Sequence, residues 1–303
     1  MTMKSTKSQQ QSLDPDFAYP KNIGAEEKDK QPKVPEATPT SLKMPTIYRP
    51  HIGEYKLKML IYGPPGVGKT SLLATAGLHR LTAPILIINV EGGMLSVADS
   101  GVLGLDQPPE VVDLKSFEDL EQIFWFLAKG DHPYKSVGID SLSELQMVNL
   151  ENIVKKLMNR ASASGAKRES LDDIWQDDYG TSTQQLRRVV RKLRDLPMHV
   201  FFSCHDSSSQ DKDKNETTHP MLTPKLRSAV MGYMDVIGYM YVDSASADEE
   251  GAEEGTPRRL LCRPHGKWVA KDRSPGQRLG LVIENPTIPG IVDQILGNKK
   301  EKV

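Results

Sequence analysis

The segment GPPGVGKT, Gly63 to Thr70, constrains this chain more than any other stretch of its 303 residues. It fits the pattern G-x-x-x-x-G-K-[ST]. An apolar run, Lys58–Tyr62, precedes it, and a helical pattern over Lys69–His79 follows it. Gly63, Gly66 and Gly68 let the backbone turn so that its N–H groups converge on phosphate oxygens. Pro64, Pro65 and Val67 complete the loop, and Ser71 carries the nucleotide-binding segment into the helix. That helix N-terminus adds a dipole favourable to anions. Lys69 is placed to neutralise the β- and γ-phosphates of ATP, and Thr70 to hold Mg²⁺ through its hydroxyl. A chance glycine-rich turn would not carry strand, loop, lysine, hydroxyl and helix in this order.

The rest of the chain alternates in the same way. Pro84–Val90, Val111–Leu114, Ser136–Ile139 and His199–Ser203 read as short buried strands. Phe117–Leu127, Leu142–Met158 and Thr183–Leu196 read as helices. Such alternation predicts an α/β fold with a mainly parallel sheet and helices on both faces. After Thr223, Tyr239–Val242, Arg259–Arg263 and Trp268–Ala270 read as added antiparallel strands. The acidic stretch DSASADEEGAEEGTP between the first two reads as a solvated hairpin loop.

Residues 1–50 are proline-punctuated and rich in Gln, Lys, Glu and Ser, so they read as a disordered tail, with Ile47 and Tyr48 as an alternative partner-binding segment. The ATPase domain is expected over 51–297 and a short charged tail over 298–303. A net charge of −1 excludes a bulk polyanion binder and leaves only local patches for nucleic acid. Two distant cysteines, Cys204 and Cys262, give neither a zinc spacing nor a disulfide framework. No apolar run approaches the roughly 20 residues of a membrane span, so a soluble, cytoplasmic protein with no membrane partner is expected.

Two carboxylates extend the phosphate loop. SVGIDSLSEL delivers Asp140 at the end of an apolar run, as the second magnesium-side group or as a cap on the following helix. The next residue is Ser141, so the acid that would position an attacking water must come from elsewhere. ILIINVEGG presents Glu91 at the end of an earlier strand, and parallel strands deliver their C-terminal ends to one rim. Glu144, one turn into the helix after Asp140, competes for the role, and a plain solvent-exposed Glu91 is the third reading.

The order of phosphate loop, glutamate after the next strand, then an apolar run ending in Asp-Ser resembles the RecA-like ATPases, among them recombinases and DnaB-type helicases. Leu57 to about Leu296 is similar to a phage and prophage branch of that class, the AAA-type RecA-like nucleotide-binding proteins. The likeness rests on GPPGVGKTSLL, INVEGG, VGIDSLSEL, DIWQDDYG, FFSCHD and RPHGKWVAKDRS; the loop and the Asp140-Ser141 pair mark the wider class, and DIWQDDYG and the Lys-Asp-Arg piece carry the narrower match. It implies a γ-phosphate sensor at His205, where the class usually has glutamine. It also implies that Lys271 and Arg273, two apart and hence on one strand face, reach a neighbouring subunit's nucleotide. Activity would then need a homo-oligomer. Cys204, beside the sensor position, reads as a buried strand residue rather than a nucleophile.

The resemblance further implies single-stranded DNA as a partner, with recombination or strand annealing as the process, and a single-strand-binding, recombination or replication protein as a further partner. Three basic patches are candidates. Lys212, Lys214 and Lys225 flank a polar loop that follows His205. Lys155, Lys156, Arg160, Lys167 and Arg168 surround a Ser/Gly/Ala stretch. Arg187, Arg188, Arg191, Lys192 and Arg194 lie outside on one helix, where a solvated face is the alternative. Trp175 and Tyr179 are expected to pack in the core or a lid rather than stack on bases. A nucleotide-dependent switch or loader for a protein partner is the competing reading. A small-molecule kinase is a weaker one, since it leaves Lys271 and Arg273 unexplained.

Overall fold

The computed structural model describes residues 49, 51–99, 101–106, 108–160, 170–242 and 257–297. The expected N-terminal tail with Ile47 and Tyr48, the acidic stretch after Val242, the 298–303 tail, Lys167 and Arg168 lie outside the described residues, Arg49 and Pro257 apart.

In chain order the elements begin β1 (Lys58–Tyr62), α1 (Lys69–Ala74), β2 (Ile85–Asn89), α2 (Leu95–Ala98), β3 (Glu110–Asp113) and α3 (Asp119–Lys129). Next come β4 (Ser136–Asp140), α4 (Leu142–Arg160), α5 (Gln176–Arg194), β5 (His199–Cys204), β6 (Asp206–Gln210) and β7 (Glu216–Pro220). The C-terminal part holds α6 (Pro224–Tyr233), β8 (Val236–Val242), β9 (Arg258–Leu261), β10 (Lys271–Asp272), β11 (Val282–Glu284) and α7 (Ile288–Leu296).

The main sheet runs β11-β9-β8-β1-β5-β4-β2-β3, and β10 pairs with the remaining half of the β8 edge. Strands β8, β1, β5, β4, β2 and β3 are parallel to one another. β9, β10 and β11 are antiparallel additions. The phosphate-loop strand β1 is thus separated from the Asp140 strand β4 by a single strand, β5. This is an α/β fold with a mainly parallel sheet, helices on both faces and antiparallel C-terminal additions.

Burial explains the long apolar runs. Every residue of β1, β2, β4 and β5 is buried, as strands covered on both faces must be. Alternation sends Leu60, Tyr62, Val200 and Phe202 to one face, where α3, α4, α5 and α6 cover them through Leu127, Leu145, Leu186 and Val230. Met59, Ile61 and Phe201 face the other way, toward α1 and α7, where Leu73, Ile288 and Ile291 pack.

Four expectations change. Tyr239–Val242 is not an antiparallel addition but the end of β8, a strand parallel to β1; Gly238 interrupts the apolar run and hides its length. Trp268–Ala270 is not a strand: Trp268 makes only isolated bridges, and the ladder begins at Lys271. The polar segment after His205 is not a loop but the β6–β7 hairpin, in register from Asp206–Pro220 to Gln210–Glu216. Its strands are built of Ser and Thr, so no apolar alternation marked them. Finally, α5 starts at Gln176 rather than Thr183, with Asp178 accepting the Trp175 N–H at 2.7 Å.

Candidate nucleotide site

β1 delivers the loop into a tight exit. A Cβ on Gly63 would stand 2.2 Å from the Met240 carbonyl oxygen on β8, so the backbone passes only as glycine. Gly68 holds φ +99°, a left-handed conformation that glycine adopts without steric cost. Lys69 is buried, and its Nζ donates to the carbonyls of Gly63 and Pro64, both at 2.9 Å. Burial lowers its pKa, while the carboxylates of Glu91 and Asp140 oppose that effect. The ammonium is therefore held by two carbonyls of its own loop, within the electrostatic reach of both acids.

Asp140 is buried at the end of β4 and bonded on both oxygens. Thr70 Oγ1 donates to Oδ2 at 2.5 Å, and Ser203 on β5 donates to Oδ1. Its backbone carbonyl accepts the N–H groups of Val90 and Glu91 at 2.7 and 3.1 Å, which ties the end of β2 to the end of β4. Hydroxyl and carboxylate are hard oxygen donors, the class Mg²⁺ prefers, so Thr70 and Asp140 fit that ion. Ser203 was not singled out from the sequence. The signal was there: a serine inside the apolar run VFFSC, in the strand next to Asp140.

Glu91 comes to the same rim. Asn89 shapes the turn that presents it: its amide donates to Asp113 at 2.6 Å, and its carbonyl accepts the Gly92 N–H at 2.8 Å. Glu91, Gly93, Asp140, Lys69, Thr70 and Arg258 line one cavity of about 290 Å³. Glu144, the competing acid, is not on its wall. His205, one residue past β5, places Nε2 3.0 Å from Glu91 Oε1. Its backbone N–H donates to Ser143 Oγ at 3.0 Å, and its Nδ1 is buried without a hydrogen-bond partner among the described residues. Cys204 beside it is fully buried, and burial pushes its thiol up to about 12, so it packs as a strand residue.

Lys271 and Arg273 lie at the other rim. β10 pairs with Val236 and Ile237, the start of β8, whereas the phosphate loop leaves β1 opposite Tyr239. Lys271 is engaged within its own chain: Nζ donates to the carbonyls of Met231 and Met234, at 2.7 and 2.5 Å, closing the C-terminal end of α6. The expected joint projection of the pair is corrected on that ground. Arg273 is exposed beside Asp235 and Tyr55.

The basic patches are partly available. Lys212, Lys214, Lys225 and Lys155 are exposed, as are Arg187, Arg188, Arg191 and Lys192 on α5. Lys156 is paired with Glu118 at 2.5 Å. Arg194 bonds Asp195 and covers the Tyr233 ring. Trp175 and Tyr179, expected to be packed away, are 50% and 40% exposed.

A family model described as "AAA domain" matches residues 55–274. Among solved structures, one described as an ATPase domain aligns at 16% identity and a TM-score of 0.41, covering 72% of this chain and 78% of that one. No curated protein matches.

Proposed function

This chain belongs to the AAA-domain family, and from that membership we propose that it is a magnesium-dependent ATPase that works with single-stranded DNA in recombination or strand annealing, as the phage RecA-like proteins it resembles would. The carrying observation is the convergence of Thr70, Asp140 and Glu91 around Lys69 on one sheet rim. In this reading, the loop Gly63–Ser71 holds the triphosphate through backbone N–H groups. Lys69 exchanges its carbonyl partners for phosphate oxygens. Thr70 and Asp140 would hold Mg²⁺, which supplies charge neutralisation when bound. Glu91 orients a water and accepts its proton, and His205 steadies that carboxylate and reports the γ-phosphate. Arg273 acts on a neighbour's nucleotide in a homo-oligomer.

The exposed arginines of α5 and the β6–β7 hairpin, which begins directly after His205, are the surfaces through which nucleotide state would reach DNA. ATP turnover with and without single-stranded DNA tests the reading. Several-fold stimulation that weakens steeply with salt supports it; DNA-independent turnover rejects it.

One observation favours a second reading, a nucleotide-dependent switch for a protein partner such as a single-strand-binding or replication protein. The hairpin span 206–220 carries Asp206, Asp211, Asp213 and Glu216 against Lys212 and Lys214. That excess of acid repels phosphate backbones. Flat turnover with DNA, together with ATP-dependent capture of such a protein through the hairpin, identifies the switch.

A further inference from the structure

The arginine expected at the nucleotide from a neighbouring subunit has a counterpart within the chain, on a residue that no motif marked. Arg258 opens β9, which lies antiparallel against β8 with Arg258 opposite Val242. β8 is in turn parallel to the phosphate-loop strand, so the start of β9 stands at the loop's rim. From there the guanidinium crosses to the loop itself. A Cβ on Gly68 would lie 2.9 Å from Arg258 Cζ and Nη1 and 3.1 Å from Nε, so glycine at this position makes room for the arginine as well as for the turn. Arg258 shares the cavity wall with Lys69, Thr70, Ser71, Asp140 and Glu91.

Its backbone is fixed at both ends. Arg258 N–H donates to Asn285 Oδ1 at 3.2 Å, and Asn285 N–H donates to the Arg258 carbonyl at 2.7 Å. Asn285 adopts φ +44°, a left-handed conformation asparagine tolerates better than most residues, and so reaches Arg258 with both main chain and side chain. Among the described residues, no carboxylate pairs with the guanidinium. A planar fork of donors is thus anchored at its root and pressed on a phosphate-binding loop.

We propose that Arg258 binds the α- and β-phosphates of the nucleotide in the same chain that carries the loop. The position follows from the loop's direction. Its backbone cradles the α/β-phosphates while Lys69 reaches the β/γ side, and the acids that would serve the γ-phosphate, Glu91 and Asp140, sit at the ends of β2 and β4. Arg258 approaches over Gly68, from the β8–β9 side of the loop. A guanidinium there grips a diphosphate through paired N–H donors and has no part in positioning the water. It contributes to holding ADP as much as ATP, and it does so in a single chain.

The inference rests on the nucleotide-binding reading, and one titration separates the two. Fluorescent ATP and ADP analogues are titrated, with Mg²⁺, into the full chain at a concentration where sedimentation shows monomer. Wild type binds both and Lys69→Ala binds neither; failure of wild type to bind sinks both readings. Arg258→Ala is expected to lose about tenfold or more in affinity for ATP and ADP alike, the effect of one charged hydrogen-bonding group. Arg258→Lys, which keeps the charge without the fork, falls between and serves as the test variant if the alanine form does not fold. Wild-type affinity in both variants overturns the proposal, and so does a loss confined to ATP, which would put the arginine at the γ-phosphate.

Discussion

Glu91 and His205 meet across the rim of the sheet, Oε1 to Nε2 at 3.0 Å. They follow β2 and β5, and β4 lies between those strands. Asp140, at the end of β4, is therefore bracketed by the pair, with Thr70 bonded to it from the loop side. The carboxylate proposed to align water is thus already bonded to the imidazole proposed to read the γ-phosphate. One contact joins the two roles.

Glu91→Gln keeps the shape of that contact and removes the proton acceptor. Turnover is expected to fall by about 100-fold or more, in the range a positioned base contributes. ATP affinity should stay within about threefold. His205→Ala leaves Glu91 in place but unsteadied, so a smaller loss in kcat, about tenfold, is expected with KM little changed. His205→Gln, which retains a donor, should recover part of it. Phosphate release at saturating ATP measures all three. Full turnover in Glu91→Gln would hand the role to another acid, with Glu144 the first to test.

Asp140→Asn separates structure from magnesium chemistry. The amide oxygen can still accept the Thr70 or Ser203 hydroxyl, so the rim keeps its shape. Lost is the charge that suits a hard divalent cation. Wild type is expected to bind ATP more tightly with Mg²⁺ than with EDTA. In Asp140→Asn that difference should shrink to about twofold or less, with turnover below detection. A variant whose affinity still rises with Mg²⁺ as in wild type would remove Asp140 from the magnesium side.

Stability against acid should depend on His199, far from the chemistry. The ring is buried at the start of β5, and Nδ1 accepts the Leu57 N–H at 3.1 Å, which requires a neutral imidazole. Burial lowers its pKa from 6.5 to about 4, with the Lys56 and Lys58 ammonium groups acting in the same direction. Between those values the unfolded chain binds a proton that the folded chain refuses. The stabilisation is therefore complete above pH 6.5 and is lost as pH falls toward 4. At about 1.4 kcal/mol per pKa unit, the difference is worth roughly 3 kcal/mol. His199→Asn keeps an acceptor near Nδ1 without a titrating ring. Urea midpoints measured from pH 7 to 4 should fall less steeply in this variant than in wild type. Parallel curves would refute the assignment.

Strands β1, β2, β4 and β5 and the phosphate loop were legible because burial on both faces forces unbroken apolar runs, and because phosphate binding restricts the loop to few residue types. Asp140 and Glu91 were legible for the same reason: a parallel sheet fixes which rim each strand end reaches. Ser203 and Arg258 were not read. Ser203 showed only as a polar interruption of an apolar run, and Arg258 acts across strands from just outside the motif that begins at Arg263, where no spacing marks it. The β6–β7 hairpin escaped because its pairing is carried by backbone and hydroxyl groups, as in the Ser208–Thr218 contact at 3.0 Å. Lys271 shows the converse. Its spacing from Arg273 suggested a shared task, and only the position of α6 reveals that its ammonium closes a helix.

That difference makes Lys271 and Arg273 separable by measurement. Lys271→Met keeps most of the stem and removes two hydrogen bonds from the last carbonyls of α6. A loss of about 1 kcal/mol in stability is expected, the size of a half-exposed cationic cap, with turnover per folded chain unchanged. Arg273→Ala is exposed and should leave stability within about 0.5 kcal/mol. If the residue serves a neighbour's γ-phosphate, its loss should reduce turnover by about 10³ while each chain still binds ATP. Wild-type specific activity should also rise with protein concentration, because the arginine arrives only when chains associate. Mixing supplies the decisive arm: Lys69→Ala chains, which retain Arg273 but bind no ATP, should restore turnover to Arg273→Ala chains, which bind ATP but lack the arginine. Mixtures no more active than their parts, or activity independent of concentration, would confine the reaction to a single chain.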